Sequence, residues 1–209
     1  MKIFTRFTVF SVILFVFIIG ISSQLNMGCS TINAISNIQR LQFKLGSINN
    51  FSLAGINLTN KNSIGDFSVT DILSLTEGFA NNNLPAKFTL NVLARNPNTP
   101  GGSQNTTSAV TRMDWKLLVD NKQTISGIMD SKIIVPGTGQ TATIPINMTL
   151  NLMDFFNSLG YEGVVKLALA LGGVSGSPAR VTLKAIPAME VFGIFFSGDE
   201  VTIVDKQFN

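Results

Sequence analysis

Between residues 141 and 152 apolar and polar side chains alternate without a break. Ala142, Ile144, Ile146, Met148, Leu150 and Leu152 fall on one parity. Thr141, Thr143, Pro145, Asn147, Thr149 and Asn151 fall on the other. A period of two is the repeat of a β-strand with one buried face. The same pattern occurs twice more upstream. Phe88, Leu90, Val92 and Ala94 oppose Thr89, Asn91, Leu93 and Arg95, and Trp115, Leu117 and Val119 oppose Lys116 and Asp120. Turn chemistry separates these runs. Asn96-Pro97-Asn98 closes one, and Asp120-Asn121-Lys122 reads as a hairpin turn into a strand over residues 123–128. Strands with one apolar face need a second layer to bury it, so residues 87–152 read as a scaffold. Pro145 has no N–H to donate, which predicts an edge strand or a solvent-facing gap at that point.

The flanks add shorter elements. Residues 41–45 alternate, residues 46–50 read as a turn, and residues 51–58 read as a second strand with a bulge at Gly55. Residues 69–80 are a predicted helix, with Ser68 and Asp71 spaced as a capping box and Ile72, Leu75 and Phe79 on one face. Leu152, Phe155, Phe156 and Leu159 predict a short helix stopped by Gly160. Residues 162–171 fit helix or strand, with helix favoured by the Ala-rich run. Residues 133–135 are a short strand before the Pro136-Gly137 turn. Residues 180–186 predict a strand ended by Pro187, followed by short strands over 189–196 and 201–204. Many short strands with helices confined to connections predict a mainly β chain, an antiparallel β-sandwich with one to three short connecting helices.

Composition narrows the chemistry. The chain has no histidine, which removes Ser-His and Cys-His nucleophile pairs and histidine-ligated metals. One cysteine, Cys29, precludes an intramolecular disulfide. The formal charge of +3 includes Lys2 and Arg6 near the amino terminus; without them 13 basic residues face 12 acidic ones. The basic residues form no stripe, so a nucleic-acid partner is not expected.

Lys2 and Arg6 precede an uncharged apolar run over residues 7–21, the layout of a targeting signal. Gly28 and Cys29 follow shortly after. This arrangement resembles a bacterial lipoprotein signal, in which the cysteine becomes the first mature residue and carries the lipid. Asn26 stands where that pattern favours leucine, with Leu25 one place further back. The resemblance implies a signal peptide over residues 1–28, lipidation at Cys29 and a tether over 29–40. Residues 41–209 would then form one domain. With Ser30 and no acidic residue before Asp66, it also implies an outer-membrane address, facing the periplasm or the surface. The alternative is an uncleaved anchor over residues 3–21, close to the ~20 residues that span a bilayer. Both place the domain outside the cytoplasm on a membrane.

A second resemblance rests on an ordered set of motifs. Asn96-Pro97-Asn98, the run from Trp115 to Asn121, Gly127, the Val135-Pro136-Gly137-Thr138-Gly139 turn and the Thr143-Ile144-Pro145-Ile146 strand stand in sequence. Together they resemble the late embryogenesis abundant type 2 family, the WHy domain. The resemblance covers residues 84–152 well and extends loosely to 41–208. It implies an immunoglobulin- or fibronectin-III-like sandwich, no cofactor, no catalytic residues and a desiccation- or stress-related binding role. The insertions over 69–83 and 162–177 depart from that family's compact core.

Individual candidates weigh mostly toward structure. Asn96-Pro97-Asn98 reads as a strand-capping turn before it reads as a carbohydrate contact. Trp115 sits at a core parity. Asp114, Asp120 and Asp130 lie in scattered positions rather than in a calcium loop. A hydrolase built on an Asp/Glu pair is the least favoured reading. Asn50, Asn57, Asn105 and Asn147 head Asn-x-Ser/Thr triplets, which this Asn-rich composition produces by chance. Phe192, Phe195 and Phe196 are the candidate partner-docking residues, because a contiguous exposed aromatic patch marks an interaction surface.

Overall fold

The computed structural model describes residues 38–97, 107–137, 139–172 and 181–204. The signal segment, Cys29, most of the expected tether, Asn98, Asn105, the loop over 101–106, Thr138, the loop over 173–177 and Arg180 lie outside the described residues. The chain is mainly β, in two antiparallel sheets. The first has the order β2-β1-β3-β6, from Ile56–Asn57, Gln42–Leu53, Pro85–Arg95 and Thr141–Asn151. The second has the order β5-β4-β7-β8, from Lys122–Val135, Ser108–Val119, Val181–Val191 and Ile194–Ser197, with β9 (Val201–Ile203) also paired to β7. Helices α1 (Val69–Ala80), α2 (Leu152–Phe156) and α3 (Gly160–Leu171) lie in the connections.

The alternating runs behave as their parity requires. Phe88, Leu90 and Val92 lie in register with Met148, Ile146 and Ile144, and all six are buried. Met113, Trp115, Leu117 and Val119 supply the second sheet's buried face, joined by Leu183 and Ala185. Both faces belong to one continuous apolar core. Each large side chain so buried contributes about 1.5–3 kcal/mol. Pro145 lies on β6, an edge of its sheet, so the missing donor interrupts no second ladder.

Helix α1 starts where its cap predicts. The Ser68 Oγ accepts from the Asp71 N–H, and the Asp71 carboxylate accepts from the Ser68 N–H. Its Leu75 is buried, while Ile72 of the same predicted face remains partly exposed. Residues 160–171 are helical, and α3 buries Val164, Val165, Leu167, Ala168, Leu169 and Leu171.

Several expectations change. Residues 46–50 are not a turn. β1 runs unbroken through them by absorbing register shifts, and the chain reverses at Ala54-Gly55, where both φ angles are positive. The expected strands over 123–128 and 133–135 are one strand, β5, since β4 is long enough to pair along all of it. Pro187 does not end its strand. Its carbonyl accepts from the Gly198 N–H, on the side where β9 has ended and β8 begins, so the missing donor falls in that gap. The predicted strand over 189–196 is therefore a hairpin, with its turn at Phe192-Gly193. Ile38 is also buried, so this residue of the expected tether packs into the domain while Gln39 and Arg40 stay exposed.

The registers sort the connections into two ends. Leu53, Ala86 and Leu150 lie together at one end, where α1 enters β3 and α2 leaves β6. Gln42, Arg95 and Thr141 lie together at the other. There the chain enters β1, and the short connection from Val135 to Thr141 joins the two sheets. The β7–β8 hairpin extends at that second end, since Ala188 pairs with Arg112 near the start of β4.

Candidate functional site

The hairpin turn is the first unusual local structure. Val191 and Ile194 close a two-residue connection in which Phe192 has φ 53° and Gly193 has φ 79°. Positive φ at both positions matches the twist of the flanking strands and normally calls for Asn-Gly. Asp120-Asn121 meets that demand with residues that tolerate the left-handed region, while Ala54-Gly55 places an alanine there at φ 48°. A phenylalanine in the left-handed region costs on the order of 1 kcal/mol. Phe192 gains no burial in return, being 87% exposed.

Its neighbours divide by parity. Phe195 opposes Glu190 on the outward face, and Phe196 opposes Met189 on the core face. Phe195 is 48% exposed and Ile194 60%. Phe196 is half-buried against the core. Phe192, Ile194 and Phe195 thus form the exposed tip, and Phe196 anchors it.

Phe195 leads onto the outward face of the second sheet. The Arg112 guanidinium lies 5.7 Å from the centre of its ring and pairs with Asp114 at 3.1 Å. The strand registers place Ile128, Asp114 and Ile186 in one row, and Ser126, Lys116 and Lys184 in the next. Glu200 crosses these rows, 3.8 Å from Lys116 Nζ and 3.5 Å from Lys184 Nζ. Together these residues line a groove of about 410 Å³. Its floor carries Ile128 and Ile186, and its rim carries both signs of charge, which suits an amphipathic rather than a purely ionic ligand.

No protein-family profile and no curated protein matches this chain. Two solved structures are similar to it. One is a protein from Archaeoglobus fulgidus, with 14% identity over 78% of this chain and 99% of that one, at a TM-score of 0.29. The other is the solution structure of a candidate late embryogenesis abundant protein. It has 13% identity over 89% of this chain and 84% of that one, at a TM-score of 0.32. Likeness at these scores decides nothing about what this chain does.

The other residues singled out from the sequence occupy structural positions. Trp115 faces the core with its ring against Gly127; a Cβ on that glycine would lie 2.5 Å from the indole. The indole Nε1 is buried without a hydrogen-bond partner among the described residues. Asn96 is fully buried, whereas Pro97 is exposed. Among the described residues no group of three His, Cys, Asp or Glu side chains is placed to hold a metal ion.

The resolved pKa shifts belong to helix and turn ends. Backbone N–H groups of Asn62 and Ser63 hold the Asp66 carboxyl below its ordinary range, and the Ser68 N–H does the same for Asp71. A hydrogen bond from Lys166 lowers Glu162. These carboxylates stabilise local structure and do not share the groove.

Sequence parity exposed Lys116 as an outward residue but gave no sign of the groove. Its walls come from β4, β5, β7 and the segment before β9, and alternation within one strand carries no information about its neighbours.

Proposed function

We propose that this protein is a membrane-tethered, non-enzymatic envelope module, whose two sheets form an immunoglobulin- or fibronectin-III-like sandwich of the late embryogenesis abundant type 2 kind. Cys29 carries the lipid, and the domain faces the periplasm or the cell surface from the outer membrane. The observation that carries this reading is the exposed tip, Phe192, Ile194 and Phe195, which gathers both exposed phenylalanines of the described residues on one hairpin. An aromatic held in a left-handed turn and left in solvent serves contact rather than folding.

The tether is tested by replacing Cys29 with Ala and fractionating cells at high salt. Lipidation predicts that the variant leaves the membrane fraction. Retention there favours the second reading, an uncleaved anchor over residues 3–21, which the uncharged apolar run supports. The protective role rests on the motif resemblance across residues 84–152. It requires that the purified protein suppress aggregation of a dried client enzyme better than an equal mass of inert protein.

A further inference from the structure

The foot of the β7–β8 hairpin lies beside the point where the chain enters the domain. Gly198, at the foot of β8, has the Ile38 carbonyl and Pro187 as its nearest neighbours. From that level Ala188–Val191 and Ile194–Ser197 run out as a two-stranded arm. At about 3.3 Å per residue, the arm carries its tip roughly 10 Å beyond Ile38. Upstream of Ile38 stand Cys29 and the apolar run over residues 7–21. Ile38 stands nine residues after Cys29, and an extended chain covers at most about 3.5 Å per residue. The domain's entry point therefore stays within roughly 30 Å of a lipid on Cys29.

We propose that the Phe192-Gly193 tip is a membrane wedge, which seats the domain on the bilayer to which its amino terminus is tethered. This inference rests on the tether reading above. The side chains fit a bilayer surface better than a protein pocket. Phe192, Ile194 and Phe195 offer contiguous apolar area at the end of the arm, with Glu190 and Arg112 flanking Phe195 behind them. The Arg112 guanidinium against Phe195 stands at the depth of lipid headgroups when the tip is buried. Glu190, exposed and directly opposite Phe195, limits the depth, because a carboxylate is costly in hydrocarbon. The wedge is accordingly shallow and reaches the headgroup–acyl boundary, as amphipathic surface elements do. Tether and wedge together act as two attachments, which fix orientation where a single flexible link leaves the domain free to tumble.

The test uses the full chain carrying Phe192→Trp, reconstituted into vesicles of phosphatidylethanolamine and phosphatidylglycerol, with Trp115 as the buried internal reference in the unsubstituted protein. Flotation reports the tether, and brominated lipids report the wedge. The expected result is flotation with at least twofold stronger bromolipid quenching in the Phe192→Trp protein than in the unsubstituted one, together with a blue-shifted emission. A chain that floats while its new indole is quenched only by aqueous iodide overturns the wedge and leaves the tether standing. A chain that fails to float overturns both.

Discussion

The two ends of this domain treat apolar surface in opposite ways. At the helical end, α2 and α3 follow β6 and bury Met153, Phe156 and six residues of α3. Phe79 of α1 meets Tyr161 edge to face at 5.7 Å. Asn151 clasps the elements there. Its Oδ1 accepts from the Leu84 N–H at 2.8 Å and the Met153 N–H at 3.3 Å, while its Nδ2 donates to the Asn82 carbonyl and to Asp154. At the hairpin end, Phe192, Ile194 and Phe195 stand in solvent on a turn whose geometry disfavours the residue it holds. The helical end is not sealed throughout, since α1 leaves Val69 and Leu73 exposed. Its backbone also holds one disfavoured residue, Ala54 at φ 48°, but the hairpin puts a far larger side chain in that region and leaves it in solvent. Local conflict combined with exposure of a large apolar side chain indicates a site kept for contact.

That contrast can be broken most directly at Leu75, the buried residue of α1. Leu75→Ala should lower unfolding stability by about 2–5 kcal/mol in a denaturant titration, because the site loses transfer free energy and gains a cavity. A loss well under 1 kcal/mol would mean that α1 contributes little to closing this end. Asn151→Ala comes next. It strands the N–H of Leu84, a fully buried residue, and should cost about 1–3 kcal/mol by the same measurement. An unchanged midpoint would show that water replaces the clasp.

At the hairpin the sign reverses. Phe192→Asn should raise stability by up to about 1 kcal/mol, since asparagine tolerates the left-handed region. It should at the same time abolish any bilayer contact of the tip. A drop in thermal midpoint would assign Phe192 a packing role and remove the contrast. The smallest effect concerns pH. Asp66 and Asp71 are held below the ordinary aspartate range by backbone N–H donors, so their contribution is present above that range and is lost as pH falls through the lowered folded-state values. Thermal midpoints measured from pH 5 downward should fall less steeply for Asp71→Asn than for the unsubstituted chain. Parallel curves would remove Asp71 from the account.

Much of the scaffold was legible before any coordinates. Alternation named the buried residues of β3, β4 and β6, because burial on one sheet face imposes a period of two whatever the strand pairs with. The cap of α1 was equally local, being written in Ser68 and Asp71. Strand ends were less legible at β1, β5 and β7. Gly46 and Pro187 look like terminators in isolation, and each is overridden by a neighbour: a bulged register in one case, a gap between two partner strands in the other. The docking candidates were half legible. Three phenylalanines could be named, but only the hairpin register separates the outward Phe195 from the core-facing Phe196.

The sequence alone determined the parity of the central strands, the start of α1, and the histidine-free, single-cysteine chemistry. Each of these depends on residues close together in the chain or on simple presence. Tertiary structure alone decided that Lys116, Lys184 and Glu200 meet across a groove, that Asn151 ties α2 to Leu84, and that the foot of the β7–β8 hairpin at Gly198 lies beside Ile38. These juxtapositions join residues far apart in the chain, and only the pairing of strands within and between the two sheets brings them together.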